Sequence, residues 1–394
     1  MNIKGQVGLY IHWPFCLSKC PYCDFNVHVQ DTLEHDAWEA AYLRSLESYA
    51  ELLQGRTISS VFFGGGTPSL MRPQTIGAIL DKVHALWPCV NDLEVTLEAN
   101  PTSVEYQKFE AFKEAGINRV SIGVQALNDK NLKFLGRTHS AENARKAIEI
   151  ASENFDRFSF DLMYARPEQS LKAWEAELRE AVKLARGHLS LYQLTIERNT
   201  PFHYSHAQGL FSLPNEDVAS DFYNITQDVL EASGLPAYEV SSHAAEGHES
   251  RHNLTYWHYN DYIGIGPGAH GRLTLDGQKF ATREHHAPQA WLERVDAQGR
   301  GAHPFEALSV EDRFLEALMM GLRLIEGVSL EHLSAQAEAP WQSYIDEAHL
   351  KTIQNESWAE IDENRLRLTR EGLLRLNAIV PYLLKVQPEV KRAV

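Results

Sequence analysis

Residues 10–26 read YIHWPFCLSKCPYCDFN. An aromatic and apolar run passes straight into three cysteines spaced C-x3-C-x2-C: Cys16, Cys20 and Cys23. Residues 7–13 have the composition of a buried strand, and similar runs recur at 58–63, 93–97, 119–124, 158–164 and 189–196. Helical patterns lie between them, near 33–54, 73–87, 103–115, 129–154 and 170–186. Six strands alternating with five helical stretches are the signature of a parallel α/β sheet. Right-handed crossovers curl such a sheet into a barrel or part of one. The expected fold class is therefore α/β, an incomplete parallel (β/α)6 barrel whose first strand ends in the cysteine loop.

Beyond residue 196 the alternation stops. Residues 197–214 read as a loop-rich excursion, followed by a helix near 216–233 and a strand near 237–243. The glycine-rich run YIGIGPGAHG (262–271) leads to a hairpin at Leu275-Asp276-Gly277, where Asp-Gly favours a tight turn. A helix is expected after Pro288, and from about 305 the pattern is helical again. The stretch RLRLTREGLLRLNAIVPYLL (365–384) predicts a short strand, an N-cap at Thr369 and an amphipathic helix, as in a small winged-helix-like module. The expected division is a barrel core over 1–235, a mixed α/β segment over 236–304 and a helical C-terminal domain over 305–394.

The bulk composition narrows the chemistry. A formal charge of −16 argues against a chain-wide grip on nucleic acid. No apolar run reaches the roughly 18–20 residues of a membrane span, and no basic segment precedes an apolar one at the N-terminus. The expected location is the cytoplasm, with at most a peripheral association with the membrane. The chain has four cysteines, too few and too clustered for a disulfide framework. Cys89, alone near the end of the helix at 73–87, reads as a structural thiol. Thiolates are soft ligands that suit an iron–sulfur cluster or zinc. A closed zinc site would need a fourth ligand, for which His12 and His28 are near in sequence.

Polar and glycine residues follow the strand runs: Gly64-Gly65-Gly66-Thr67-Pro68, then Glu98-Ala99-Asn100-Pro101, then Gln125, with Asp161 on the fifth. Sites on such sheets gather at the C-terminal strand ends. The three-cysteine loop, FFGGGTPSL (62–70), LEANP (97–101), SIGVQALN (121–128) with Arg137 downstream, and FDLMY (160–164) together resemble radical S-adenosylmethionine proteins. More narrowly, they resemble the oxygen-independent coproporphyrinogen III oxidase family, over roughly residues 7–385. The resemblance implies that Cys16, Cys20 and Cys23 bind a [4Fe–4S] cluster whose fourth iron is chelated by S-adenosylmethionine. It also implies cofactor contacts from Tyr10, Gly65, Gly66, Thr67, Glu98, Gln125, Arg137 and Asp161. Taken singly, these residues read equally as caps, turns and salt bridges; Thr67 with Pro68, for example, fits a helix start.

One departure is informative. The oxidases carry a further cysteine two positions after the third, and Phe25 stands there instead. That variant, together with His252-Asn253-Leu254-Thr255-Tyr256-Trp257, resembles the family's haem-chaperone branch. The branch implies that haem is bound with help from His252, Asn253, Tyr256 and Trp257 and passed to respiratory membrane proteins. Imidazole is a common axial haem ligand, and aromatic rings offer flat faces to a macrocycle. His243, His248, His258 and His270 compete with His252 for the iron. The alternative is a true oxidase that decarboxylates a porphyrinogen, so enzymatic turnover stays open and no catalytic residue is assigned. Oligomeric state is open too, a homodimer included.

Overall fold

The computed structural model describes residues 5–30, 33–362 and 364–385. Six parallel strands run in sequence order: β1 (Gln6–Trp13), β2 (Thr57–Gly65), β3 (Cys89–Ala99), β4 (Arg119–Gln125), β5 (Arg157–Tyr164) and β6 (His188–Gln193). The crossovers are α1 (His35–Leu52), α2 (Pro73–Leu86), α3 (Phe109–Glu114), α4 (Ala141–Asn154) and α5 (Leu171–Leu184). This is the expected (β/α)6 unit, and its two edges do not meet. Beyond β6 lie α6 (Glu216–Ala232) and the antiparallel β7 (Ser242–Ala244). At the other edge, β8 (Tyr262–Ile265) pairs parallel with β1. An antiparallel ribbon of β9 (His270–Leu275), β10 (Gln278–Arg283) and β11 (Glu306–Ala307) extends that side.

The β1 side chains show why a parallel sheet forms here. Val7, Leu9, Ile11 and Trp13 on one face are all fully buried, and Gly8 and His12 on the other are buried too, as a strand covered on both faces requires. Beyond Trp13 an aromatic cluster anchors α1 and the later helix α8 (Pro288–Gln298). Trp38 of α1 stacks on Trp291 of α8 at 5.8 Å, and the Trp291 indole donates to Glu284 Oε2 at 2.7 Å.

A second hydrophobic core, centred on Phe314, Leu318, Leu333 and Leu366, belongs to the C-terminal module. It comprises α9 (Val310–Gly321), α10 (Leu330–Ala337), α11 (Glu347–Asn355), α12 (Leu376–Leu383) and a small antiparallel sheet. That sheet has β14 (Arg365–Leu368) between β12 (Val328–Ser329) and β13 (Ala359–Asp362), in keeping with a winged-helix-like unit. Among the described residues no helix is long and apolar enough to cross a membrane.

Several local expectations are corrected. The stretch 129–154 is two helices, because Gly136 adopts φ +67° between them. Residues 103–115 likewise split, at 107–108. The excursion at 197–214 contains a helix, Pro201–Ala207, capped by Thr200. Of the expected strand at 237–243 only 242–243 is a strand proper, within Ser242–Ala244. Cys89 opens β3 instead of ending a helix.

Replacing Trp291 with Ala should lower unfolding free energy by about 3–5 kcal/mol, the range for emptying a buried aromatic site. Denaturant titration would measure it, and a loss under about 1 kcal/mol would show that the cluster repacks.

Candidate functional site

The C-terminal ends of β1–β5 meet around one cleft of about 180 Å³. Cys16, Cys20 and Cys23 line it with Gly65, Gly66, Thr67, Glu98, Asn100, Gln125, Arg137 and Asp161. The fold thus gathers residues spread over some 150 positions of sequence.

All three thiols are free and partly exposed. Thr67 Oγ1 donates to Cys16 Sγ at 3.3 Å, and Arg137 Nη1 donates to Cys20 Sγ at 3.4 Å. Burial pushes the Cys16 thiol up to about 11 and raises Cys23 as well. Such thiols keep their protons until a bound metal ionises them. Neither His12 nor His28 lines the cleft, and both His12 nitrogens are engaged: Nδ1 by Tyr10 OH at 2.9 Å and Nε2 by the Asn26 carbonyl at 3.1 Å. Three soft donors with no imidazole beside them fit three corners of an iron–sulfur cubane better than a closed zinc site.

The glycine run is crowded by the protein itself. A Cβ on Gly65, at φ +111°, would lie 2.5 Å from the His12 ring, and one on Gly66 2.7 Å from the Phe15 carbonyl. Pro68 does start a turn of 3-10 helix, but the Thr67 side chain makes no capping bond. Its hydroxyl faces Cys16 and accepts from Asn100 Nδ2 at 3.1 Å. Asn100 in turn accepts from Arg137 Nη2, which also bonds the Gly123 carbonyl at 2.8 Å. Asn100 is a hub that sequence reading passed over, although it stands in the quoted LEANP. Gln125 ends β4 at φ +69°, a strained conformation of the kind found at ligand sites.

Glu98 and Asp161 sit at the floor. Burial first, then the charge of Asp161, pushes Glu98 up to about 8, while the Gly65 amide donates to its Oε2 at 3.1 Å. Burial also pushes Asp161 up to about 7 against the pull of Arg119.

A second cleft of about 510 Å³ adjoins the first, and Phe25, Gly65 and Glu98 line both. Tyr10, Tyr256, Trp257 and Tyr262 form its aromatic wall, and Glu316 and Met320 of α9 close one side. Tyr10 therefore meets this second cleft and not the cysteine-lined one. Phe25 is 59% exposed, so the residue replacing the oxidases' further cysteine is a surface of these clefts. Asn26 beside it ties the cysteine loop to the rim, donating at 2.9 Å to both the Pro267 and His286 carbonyls. Sequence reading missed this clamp, since nothing local marks an asparagine whose partners lie over 240 positions away.

The HNLTYW segment divides. It forms α7 (Arg251–Trp257), capped by Ser250. Tyr256 and Trp257 line the second cleft; His252 and Asn253 do not. His252 is fully buried, with Nδ1 bonded to Ser60 Oγ at 2.8 Å and Nε2 to Tyr256 OH at 2.6 Å. The expectation of His252 as an axial ligand is corrected here, because neither ring nitrogen is free to meet iron. His243 and His258 lie off this wall as well, and His258 is paired with Glu326 at 2.8 Å.

The chain matches the Radical SAM superfamily model over residues 10–181 and the HemN C-terminal domain model over 308–375. It is 38% identical to the mitochondrial radical S-adenosyl methionine domain-containing protein 1 of Danio rerio, covering 96% of this chain and 87% of that one. It is 37% identical to the heme chaperone HemW of Escherichia coli (strain K12), covering 96% and 98%. Its structure resembles coproporphyrinogen III oxidase (HemN) from Escherichia coli with a TM-score of 0.79, over 95% of this chain and 89% of that one. At 21% identity that likeness speaks for the fold alone.

Holding neutral carboxyls at Glu98 and Asp161 favours the folded state at low pH. Above the ordinary carboxylate pKa of roughly 4 the unfolded chain releases protons that the folded chain keeps, so this stability is lost as pH rises toward 8. The ligand-free Glu98→Gln variant should therefore gain melting temperature relative to the parent as pH goes from 5 to 8. Parallel melting curves across that range would remove Glu98 from the account.

Proposed function

The chain belongs to the radical S-adenosylmethionine superfamily, in the oxygen-independent coproporphyrinogen III oxidase family and on its HemW branch, and from this we propose that it is a haem chaperone that delivers haem to respiratory acceptor proteins. The observation that carries the reading is the contact between two clefts. One is walled by three thiols and Arg137; the other is larger and aromatic; Phe25 belongs to both. Relatives named heme chaperone HemW, 35–37% identical over 96% of this chain, support the same assignment.

On this reading Cys16, Cys20 and Cys23 hold three irons of a [4Fe–4S] cluster. These three thiols would leave one corner of the cluster open to S-adenosylmethionine, and the bound cluster would supply the reducing electron for cleavage of its sulfonium. Arg137 balances the negative charge of thiolates and a ligand carboxylate. Gly65, Gly66 and Thr67 line the methionine end, while Glu98, Gln125 and Asp161 hold its polar groups from the floor. The raised pKa of Glu98 lets it donate a hydrogen bond where an ordinary glutamate only accepts. Tyr10 steadies this wall through His12. Tyr256 and Trp257 give haem a flat apolar surface, and His252 and Asn253 support them from behind. Residues 1–235 then act as the cofactor barrel, 236–304 as the haem-facing wall and 305–394 as a helical cover. A cytoplasmic protein touching the membrane only through its acceptors fits this cargo route.

Anaerobic reconstitution with iron and sulfide, counted per chain, tests the cofactor half. A Cys20→Ser variant should lose the cluster, and a site that prefers zinc under the same conditions would refute it. For the chaperone half, haemin should stay with the protein through desalting and give a Soret band. Conversion of coproporphyrinogen III to protoporphyrinogen would replace this reading with the oxidase one.

A further inference from the structure

We infer that the haem iron is taken in the cleft between the barrel and α9, by the imidazole of His270 at the head of β9. The inference rests on the haem-chaperone reading above and adds the seat and the ligand.

Three histidines line the aromatic cleft: His12, His270 and His286. His12 is spent on Tyr10 and Asn26, as His252 behind the wall is spent on Ser60 and Tyr256. Among the described residues, no side-chain hydrogen bond engages the ring nitrogens of His270. Its backbone is firmly set. His270 pairs with Arg283 across β9 and β10, and its carbonyl sits 2.0 Å from where a Cβ on Gly264 would lie, so only glycine admits this approach. A ligand carried on a paired strand is held more accurately than one on a loop. His286 belongs to the bend between β10 and α8, where its carbonyl is held by Asn26.

The surroundings suit a porphyrin. Tyr256, Trp257 and Tyr262 supply apolar faces, and Tyr256 packs edge-on against Tyr262 at 4.5 Å. Trp257 and Asn260 line the cleft, although Trp257 Nε1 and Asn260 Oδ1 are themselves buried without a hydrogen-bond partner. Met320 of α9 adds a soft side chain to the wall. Desolvation and then the neighbouring Arg272 lower the pKa of His270. Cys89, at the start of β3, lines neither cleft.

The test uses the full chain, reconstituted anaerobically and titrated with haemin. His270→Ala should weaken retention by at least about tenfold, since even the outer partners of metal ligands are worth 10- to 100-fold in affinity. It should also shift the Soret band, and added imidazole should restore the parental spectrum, which a packing defect would not allow. His270→Met, which keeps a donor on the same strand, should bind haem with a changed band if the alanine variant folds poorly. A parental spectrum and affinity in both variants would overturn the inference while leaving the chaperone reading intact. So would a loss carried by His286→Ala instead. Failure of the unaltered protein to retain haem would defeat the chaperone reading itself.

Discussion

Everything in this molecule hangs on the parallel pairing of β1 between β2 and β8. Ladder hydrogen bonds on both sides fix the strand, and its fully buried alternate side chains leave it no other register. Its end is then clamped: Gly66 N donates to the Trp13 carbonyl at 2.7 Å and Thr67 N to the Phe15 carbonyl at 2.9 Å. The cysteine loop therefore leaves from a fixed point beside the glycine turn. On the β8 side, Gly266 at φ +110° comes so close to the His12 carbonyl that a Cβ would lie 2.2 Å from it. One strand thus positions the thiol-bearing cleft with one neighbour and the aromatic cleft with the other.

Most of the barrel was legible because burial on both faces writes a strand as an unbroken apolar run. The failures have local causes. β3 begins at Cys89, four residues before its apolar stretch, since Asn91 and Asp92 lie at the exposed start where the ladder to β2 is irregular. Residues 194–196 look like strand but leave the sheet at Gln193; Leu194 turns its amide to the Tyr164 carbonyl and joins a small core with Phe202. Residues 237–241 (AYEVS) make only isolated bridges, Ala237 to His243 and Glu239 to Leu324, and Val240 packs against the second core. Helix starts were readable at caps such as Ser170, Asn215 and Thr369, but the capping box at Ser140, inside an apparently continuous helical pattern, was not.

The candidate site was legible in part for a different reason. A parallel sheet delivers every C-terminal strand end to one rim, so Glu98, Gln125 and Asp161 could be grouped without knowing any distance. Hydrogen-bond direction is not written that way. His252 reads as one candidate haem ligand in HNLTYW, yet the helix turns it inward, where Ser60 from a strand 192 positions earlier takes one nitrogen. A fully buried imidazole must satisfy both nitrogens or lose hydrogen-bond energy, so its partners decide its role. Asn26 and Asn100 escaped notice because their value lies wholly in long-range partners.

The joint between the two cores shows what fixes the second cleft's width. Arg272 of β9 grips Glu316 of α9 with two hydrogen bonds, at 2.7 and 2.8 Å, and Tyr259 OH adds a third at 2.7 Å. Arg323 bonds Glu239 at 3.0 Å and Ser241 at 2.9 Å and lies over the Trp257 ring at 4.6 Å. Apolar packing between the cores would give more stability than such half-buried ion pairs, whose attraction is largely offset by desolvation. Ion pairs with bidentate geometry do supply direction, because a guanidinium fork accepts its carboxylate in one plane. The joint therefore sets how α9 faces the aromatic wall without sealing it, and Trp257 is held from one side by Arg323 while lining the cleft. A hydrophobic seam in the same place would close the space that the polar one keeps open.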